Sequence, residues 1–198
     1  MIMTTLKTLV RRTLILAAFV ALVFSVFISR GFSKNSPTIP VIHQPTKTTL
    51  VAGLPVRLQI PKIHVDSVLG QVGLTPAGAV AVPVGPTNAA WFDLGPRPGE
   101  VGNAIIVGNY GWKNGIPAVF DKLYSLHAGD LIYVVDGQGV TTTFVVRQIR
   151  LYGSTDDPSA VFVSSDGKDH LNLITCEGVW SASEKSYSKR LVVFADKV

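Results

Sequence analysis

From residue 56 onward the chain is a series of short runs rich in valine, isoleucine, threonine and aromatic residues, separated by glycine, proline and aspartate. This pattern favours short β-strands bounded by turns over helices. It predicts eight strands, at residues 56–60, 64–69, 79–82, 104–107, 131–135, 141–152, 171–175 and 191–194. So many short strands in one domain predict an all-β fold, a closed or nearly closed barrel.

Two interruptions of the strand pattern predict short helices. The segment PAVFDKLYSLH, from Pro117, has a proline suited to a first helical turn and apolar residues at helical spacing. The segment DDPSAVFVSS, from Asp156, offers a capping aspartate and has Pro158 early in the turn.

The N-terminal part of the chain predicts a membrane anchor. Residues 13–29 are uncharged and lie between Arg12 and Arg30. As a helix they would span roughly 25 Å, the short end of what crosses a bilayer. A cleaved signal peptide is the alternative, but the apolar run is long for one and no small-residue cleavage site comes after it. We therefore expect residues 1–12 to be cytoplasmic, 13–30 to form a transmembrane helix and 31–55 to form a Pro/Ser/Thr-rich linker.

The charge distribution agrees with this division. The net charge is +5, but residues 1–55 hold six basic residues and no acidic one, which leaves 12 basic and 13 acidic residues in 56–198. The basic segment suits an anionic membrane face, and the folded part has no basic stripe. We expect a single-pass protein of the cell membrane, with the domain 56–198 on the extracellular side and no nucleic-acid partner.

Cys176 is the only cysteine, so the chain forms no intramolecular disulfide. It comes after the alternating run LNLIT, which predicts a strand that carries the thiol to its end, before Glu177 and Gly178. A lone cysteine there is either a small buried apolar residue or a nucleophile with a cationic neighbour. Arg190 opens the next apolar run fourteen residues later. The two residues can therefore face each other on antiparallel strands.

These motifs resemble a known family. LITC with Arg190 fourteen residues later resembles the sortase signature of strand, Thr-Cys, loop, arginine and strand. LQIPKIHVDSVL resembles the opening strand of that fold. AVAVPVGPTNAAWFDLGPRPGEVGNAIIVGNYGW resembles the stretch that leads to the catalytic histidine of class E- or F-like sortases, and PAVFDKLYSLHAGDLIYV resembles the short helix, Gly-Asp turn and strand after that histidine. The resemblance covers residues 56–198 and implies a sortase-like eight-stranded β-barrel behind an N-terminal anchor.

The resemblance also implies a chemistry. Such a cysteine transpeptidase cleaves an LPxTG-like sorting-signal peptide after threonine, holds it as a thioester and passes it to an amine acceptor, a cell-wall peptide or a pilin lysine. Cys176 would be the nucleophile, and Arg190 would orient the peptide and stabilise the oxyanion. Thr175 would line the peptide groove. No cofactor is implied, and the aspartates between residues 156 and 169 fit turn and capping roles, so we expect no metal.

The three tryptophans lie near these motifs. Trp112 either walls the peptide groove or packs at the mouth of the barrel, and the sequence does not choose between the two. Trp180 lies between Cys176 and Arg190 and is a candidate gate of the site. Trp91 is expected to pack beneath a proline-rich loop rather than to shape the groove.

The pattern breaks at Asn109, which comes directly after Gly108 where the family has its histidine. A carboxamide does not titrate near neutral pH, cannot protonate a leaving amine and cannot lower the thiol pKa by its charge. His170 is a poor substitute, since six residues of strand separate it from Cys176 by roughly 20 Å. Three hypotheses remain: a transpeptidase impaired by a change at 109, a silent module that binds sorting peptides, and a hydrolase or acyl trap that uses only Cys176 and Arg190.

Overall fold

The structure is a computed structural model that describes residues 52–181 and 186–198, without the side chains of Lys113, Trp180 and Ser186. Its strands are β1 (Pro55–Ile60), β2 (Val65–Val72), β3 (Ala89–Phe92), β4 (Gly102–Gly108), β5 (Leu131–Asp136), β6 (Thr141–Gly153), β7 (Asp169–Ser181) and β8 (Ser186–Lys197). They close into a barrel in the order β1-β2-β3-β4-β7-β8-β6-β5. The β2–β3 and β4–β7 pairs are parallel and the other neighbours are antiparallel. The predicted eight-stranded β-barrel is confirmed.

The barrel interior is filled by alternate residues of its strands, as the two-residue period of a strand requires. Leu58, Ile106, Phe144, Leu173 and Val193, from five different strands, are fully buried in this core. The strand β4 is buried on both faces, because the residues between its core positions pack in a second cluster outside the barrel. The wall made by β4, β7 and β8 therefore has a covered outer face as well as an inner one.

The covering layer on that outer face contains the one-turn helix α1 (Ser159–Phe162). Two buried carboxamides hold it: Asn103 Nδ2 donates to the carbonyls of Ala160 and Val161 at 3.1 Å, and Asn172 Nδ2 donates to Val161 at 2.6 Å. Because a helix leaves its last carbonyls without partners in the helix itself, these amides both satisfy α1 and fix it to the barrel wall.

Two of the predicted elements are wrong. Residues 79–82 are not a strand, since Val80 forms only an isolated bridge with Leu74. The third strand of the barrel is instead β3, which pairs with β2. Its sequence AAWF is short and lies among proline and glycine residues, so the pattern does not predict a strand there. The segment from Pro117 forms turns and a single 3₁₀ turn (Leu123–Ser125) in place of the predicted helix. Asp121 accepts hydrogen bonds from two backbone N–H groups there, which fixes a non-helical path.

The ends of β7 and β8 also differ from prediction. Strand β7 does not stop after Cys176 but continues through a bulge, where its pairing with β8 shifts between Glu177 and Trp180. Gly178 adopts a φ of 89° there, a left-handed conformation that favours glycine. Since the ladder resumes beyond this bulge, Cys176 lies inside β7 and Arg190 lies inside β8 rather than at its start.

The predicted anchor at 13–30 and most of the linker lie outside the described residues. No helix in 52–181 or 186–198 combines the length and the apolar character needed to cross a bilayer.

Gly108, the last residue of β4, gives a prediction on packing. A Cβ at this position would lie 2.5 Å from Phe120 Cδ2 and 2.7 Å from Val119 Cγ1, so we expect Gly108→Ala to overpack the core and cost about 1–3 kcal/mol. Gly70 of β2 is the matched control, because nothing lies within 4 Å of a Cβ built there. Urea denaturation should show a lower midpoint for Gly108→Ala and no such decrease for Gly70→Ala. Equal midpoints for the two variants would show that the close approach at Gly108 is relieved without cost.

Candidate active site

Cys176 and Arg190 are direct partners in the antiparallel ladder between β7 and β8. Side chains of such partners lie on the same face of a sheet, with Cβ atoms about 4.5–5.5 Å apart. Ile174 and Val192, two residues away on each strand, pack together outside the barrel core. The thiol and the guanidinium therefore lie side by side on the outer face of the barrel wall, not in its interior.

A cavity of about 480 Å³ lies beside this pair. Its polar lining consists of Thr175, Cys176 and Arg190, and its remaining lining is apolar or glycine. The apolar walls come from the connection between β2 and β3, from the strands themselves and from α1, and they include Leu74, Val80, Val82, Phe92 and Phe162. This shape and chemistry suit a short peptide with apolar side chains, held with one carbonyl near the thiol.

The Arg190 guanidinium is held by its own strand. Its Nη1 donates to the carbonyls of Tyr187 and Lys189, both at 2.9 Å. These bonds limit the rotamers of a long side chain and keep its charge close to the thiol. A planar cation with several N–H donors in this place can bind a carbonyl oxygen and the negative charge that develops on it.

Two opposing effects set the protonation of Cys176. Burial raises the pKa of the thiol, and the positive charge of Arg190 lowers the pKa by a smaller amount, so the pKa lies above its ordinary value. The thiol is therefore mostly protonated at neutral pH. Since the thiolate is the nucleophile, the resting site is arranged for chemistry but not strongly activated.

Asn109 lies just beyond the end of β4. The parallel ladder ends with the pair Val107 and Ile174, two residues before Asn109 and Cys176, and Asn109 is not among the residues that line the thiol cavity. The carboxamide is bonded elsewhere: Nδ2 donates to the carbonyl of Pro83 at 3.0 Å and to that of Gly85 at 2.8 Å. Both amide hydrogens are thus used, and neither is offered to the thiol or to a leaving amine.

The histidines of the described chain lie away from the thiol cavity. His170 is buried near the start of β7, with Nδ1 2.8 Å from Asp196 Oδ1 and Nε2 3.0 Å from Asp166 Oδ1. Its hydrogen bond to Asp166 holds the pKa of that carboxyl well below the ordinary range. His64 and His127 are exposed, and none of the three lines the thiol cavity. Within 52–181 and 186–198, no group of three His, Cys, Asp or Glu residues is placed to hold a metal ion.

The other residues predicted near the site lie in different surroundings. Thr175 lines the cavity, while its hydroxyl donates to the carbonyl of Gly108 at 2.8 Å. Trp112 is half-buried and is not among the residues that line the cavity. The backbone of Trp180 pairs with Tyr187, and its side chain lies outside the described part. Trp91 is buried in the core and donates to the carbonyl of Pro96 at 2.9 Å, so its predicted packing beneath the proline-rich loop is confirmed.

The apolar side of the cavity does not follow from the sequence pattern. The pattern predicts a strand at Val80 and Val82 and a short helix at Phe162, and it predicts no place in the site for any of them. Phe162 is 40% exposed, although a side chain of this size and apolar character is more often buried. One signal was available: the apolar stretch AVAVPV contains Pro83 and is followed by Gly85, which makes it a poor candidate for a barrel strand.

Comparisons with known proteins agree with this fold. A family model described as the sortase domain matches residues 58–198. No curated protein matches the chain. Solved structures with the same fold include sortase C-1 from Actinomyces oris, with 24% identity over 73% of this chain and 74% of that one and a TM-score of 0.54. Sortase C1 from Streptococcus suis has 19% identity over 73% of each chain and a TM-score of 0.55.

A third similar structure is the sortase D5 transpeptidase of Clostridium perfringens, with 20% identity over 74% of this chain and 79% of that one and a TM-score of 0.52. Because the sortase model matches most of the chain and the eight-stranded barrel agrees with it, this chain belongs to the sortase family. Sortases are cysteine transpeptidases that act on sorting-signal peptides and amine acceptors. The class E- or F-like assignment stays a prediction.

The charge balance at Cys176 gives a second prediction. Arg190→Gln removes the group that lowers the thiol pKa, so the pKa should rise further and less thiolate should be present at any pH below it. We expect alkylation of Cys176 by iodoacetamide at pH 8 to slow by about 2-fold to 10-fold. Arg190→Lys keeps the charge and should slow it less.

The matched control is Arg150→Gln on β6, whose guanidinium lies over the Tyr152 ring, 4.8 Å from its centroid. In the Arg150→Gln variant, Cys176 should be alkylated at the same rate as in the unchanged chain between about pH 6 and 10, the range over which cysteine thiols titrate. If Arg190→Gln and Arg150→Gln give the same rate–pH profile, the guanidinium at 190 does not act on the thiol.

Proposed function

We propose that this chain is a membrane-anchored sortase-type cysteine transpeptidase that cleaves an LPxTG-like sorting signal through a Cys176 thioester and transfers the acyl group to an amine. The observation that carries the proposal is the pairing of Cys176 with Arg190 at the edge of an apolar cavity. A buried apolar residue would not need a cationic partner, and a purely structural arginine would not need to lie beside the one thiol of the chain.

The reaction proceeds in two acyl transfers. Cys176 Sγ bonds to the carbonyl carbon of the peptide threonine as the thiol proton leaves, and the tetrahedral intermediate collapses with cleavage of the bond to the next residue. The departing nitrogen takes a proton and leaves as an amine. The acceptor amine, from a cell-wall peptide or a pilin lysine, then attacks the thioester, gives up a proton and releases the thiol.

Arg190 acts on the charge that develops during these steps. Its guanidinium lies on the same face as the thiol and is oriented by the carbonyls of Tyr187 and Lys189. In this position it stabilises the oxyanion of each tetrahedral intermediate and orients the peptide carbonyl before attack. Thr175 shapes the floor of the groove. Trp112 and Trp180 stay candidates for peptide contacts, on the sequence argument alone.

Turnover is impaired by Asn109. Protonation of the leaving amine needs a group that exchanges protons near neutral pH, and a carboxamide whose two hydrogens are bound to Pro83 and Gly85 cannot supply one. The raised pKa of Cys176 also leaves little thiolate to attack. Solvent water is the remaining proton carrier, and it makes each step slow.

The same two observations favour a second function. A site with a protonated thiol and no acid could bind a sorting-type peptide without cleaving it, as a silent sortase-fold module at the cell surface. Attack on the peptide separates the two functions, because only the transpeptidase forms an acyl bond to Cys176.

Residues before the barrel, most of them outside the described part, complete the proposal. A transmembrane helix at 13–30 and a linker at 31–55 would hold the domain 56–198 on the extracellular side of the membrane, as a single-pass protein. Surface proteins that carry sorting signals and the amine acceptors would reach the site there.

The central test is Asn109→His. An imidazole at this position supplies an acid and favours the thiolate, so we expect the rate of product formation from an LPATG peptide and triglycine to rise by about 10²–10⁴-fold. Product is measured by mass spectrometry, together with the acylated protein. Cys176→Ala should abolish both species in either background.

Asn114→His is the control for an added histidine, since Asn114 is exposed on the same connection after β4. It should leave the rate unchanged. If neither the unchanged chain nor Asn109→His acylates Cys176 with any peptide of a sorting-motif library, the transpeptidase proposal fails and the binding module is favoured.

The anchor has its own test. Retention of residues 1–30 in the protein extracted from membranes should give the mass of the full chain of 21.2 kDa. A mass smaller by the first thirty or so residues would identify a cleaved signal peptide and would contradict the anchor.

A further inference from the structure

The connection between β2 and β3 (residues 73–88) forms one wall of the thiol cavity. It folds back on itself as a small hairpin, in which Ala81 N donates to the carbonyl of Gly73 at 3.0 Å and Leu74 bridges Val80. Leu74, Val80 and Val82 of this hairpin line the cavity that holds Cys176. The position of the hairpin therefore sets how much space is open beside the thiol.

This connection is tied to the barrel at a few points. Its last residues are held near β3, where Val119 N donates to the carbonyl of Pro86 at 2.8 Å and Ser67 Oγ donates to that of Thr87 at 3.1 Å. Val80 packs on the outer face of the wall. Between Val80 and Pro86, the hydrogen bonds to Pro83 and Gly85 come from a single side chain, that of Asn109.

Asn109 is itself held firmly. Its backbone carbonyl accepts a hydrogen bond from Phe120 N at 3.1 Å, and Phe120 is fully buried in the core. It also comes directly after Gly108, where the closely packed Phe120 leaves no space for a Cβ. The carboxamide therefore projects from a rigid part of the barrel toward a connection that has few ties of its own.

We propose that Asn109 is a positioning residue, whose two amide hydrogens clamp the β2–β3 connection and so set the width of the peptide groove beside Cys176. A carboxamide NH₂ has two donors and can hold two carbonyls, whereas a neutral imidazole has one and can hold only one. Position 109 thus shapes the substrate space in this chain. That the space receives a peptide rests on the proposed function; the clamp does not.

The first test measures amide hydrogen exchange in the peptide-free full chain, so that no catalysis is involved. Asn109→Ala removes both donors, and Asn109→Asp replaces them with acceptors that repel the two carbonyls. Each hydrogen bond should shift the equilibrium between the closed and the open connection by a factor of about 5. Residues 74–85 should therefore exchange about 10-fold to 30-fold faster in both variants, while exchange in the core of β4 stays unchanged. Asn109→Gln keeps both donors on a longer side chain and should restore part of the protection.

The second test measures groove width at the thiol. Cys176 is modified with methyl methanethiosulfonate and with a bulky aromatic methanethiosulfonate, each of which forms a mixed disulfide with the thiol and releases methanesulfinate. The ratio of the two reaction rates is compared between variants. Asn109→Ala and Asn109→Asp should lose severalfold of the discrimination against the bulky reagent, and Asn109→Gln should regain some of it. A residue that only supports global stability would change the unfolding midpoint without changing this ratio.

Asn114→Ala and Asn114→Asp are the controls for loss of an amide and for added charge at an exposed asparagine. They should behave as the unchanged chain in both tests. Unchanged exchange over 74–85 and an unchanged rate ratio in Asn109→Ala would overturn the clamp, even if Asn109→Asp proved unfolded. Since no peptide is used, failure to cleave any sorting peptide would count against the proposed function and leave this result standing.

Discussion

The pairing of β7 with β8 is the interaction on which the rest of this structure depends. It joins the only cysteine of the chain to Arg190 as direct neighbours on the outer face of the barrel. The bulge at Gly178 lets the ladder continue beyond the thiol, so both residues lie inside strands, where backbone hydrogen bonds limit their movement. The Cys176–Arg190 pair therefore lies on the barrel wall itself, and the β2–β3 connection and α1 supply the sides of the cavity beside it.

The electrostatic environment of Cys176 at that wall does not favour the thiolate. The cavity that suits an apolar peptide also removes water from the thiol, and this burial raises the pKa of Cys176 by more than Arg190 lowers it. In a site with a neighbouring imidazolium, a second positive charge would oppose the burial. Asn109, which the sequence resemblance puts at the position of that histidine, uses its donors on Pro83 and Gly85. The carboxamide contacts proposed to shape the groove thus leave the Cys176 thiol weakly activated.

Much of the fold could be predicted because strand propensity, turn residues and alternation are local properties. The central runs of seven of the eight strands fall where the sequence predicts them. Strand β3 was missed because AAWF is a four-residue run that carries no period of its own and lies among proline and glycine residues. Residues 79–82 are predicted as a strand, yet among them only Val80 forms a bridge, with Leu74. Ala79, Val80 and Val82 line the thiol cavity instead.

The sequence by itself determined that a lone thiol and an arginine would lie on consecutive strands, and that position 109 carries no titratable group, because identity and spacing are written in the chain. Only the tertiary structure decided which face the pair would occupy and what the Asn109 carboxamide would bind. Those outcomes depend on contacts between segments far apart in sequence, such as Asn109 with Gly85. Such contacts form only when the barrel closes, and no local pattern encodes them.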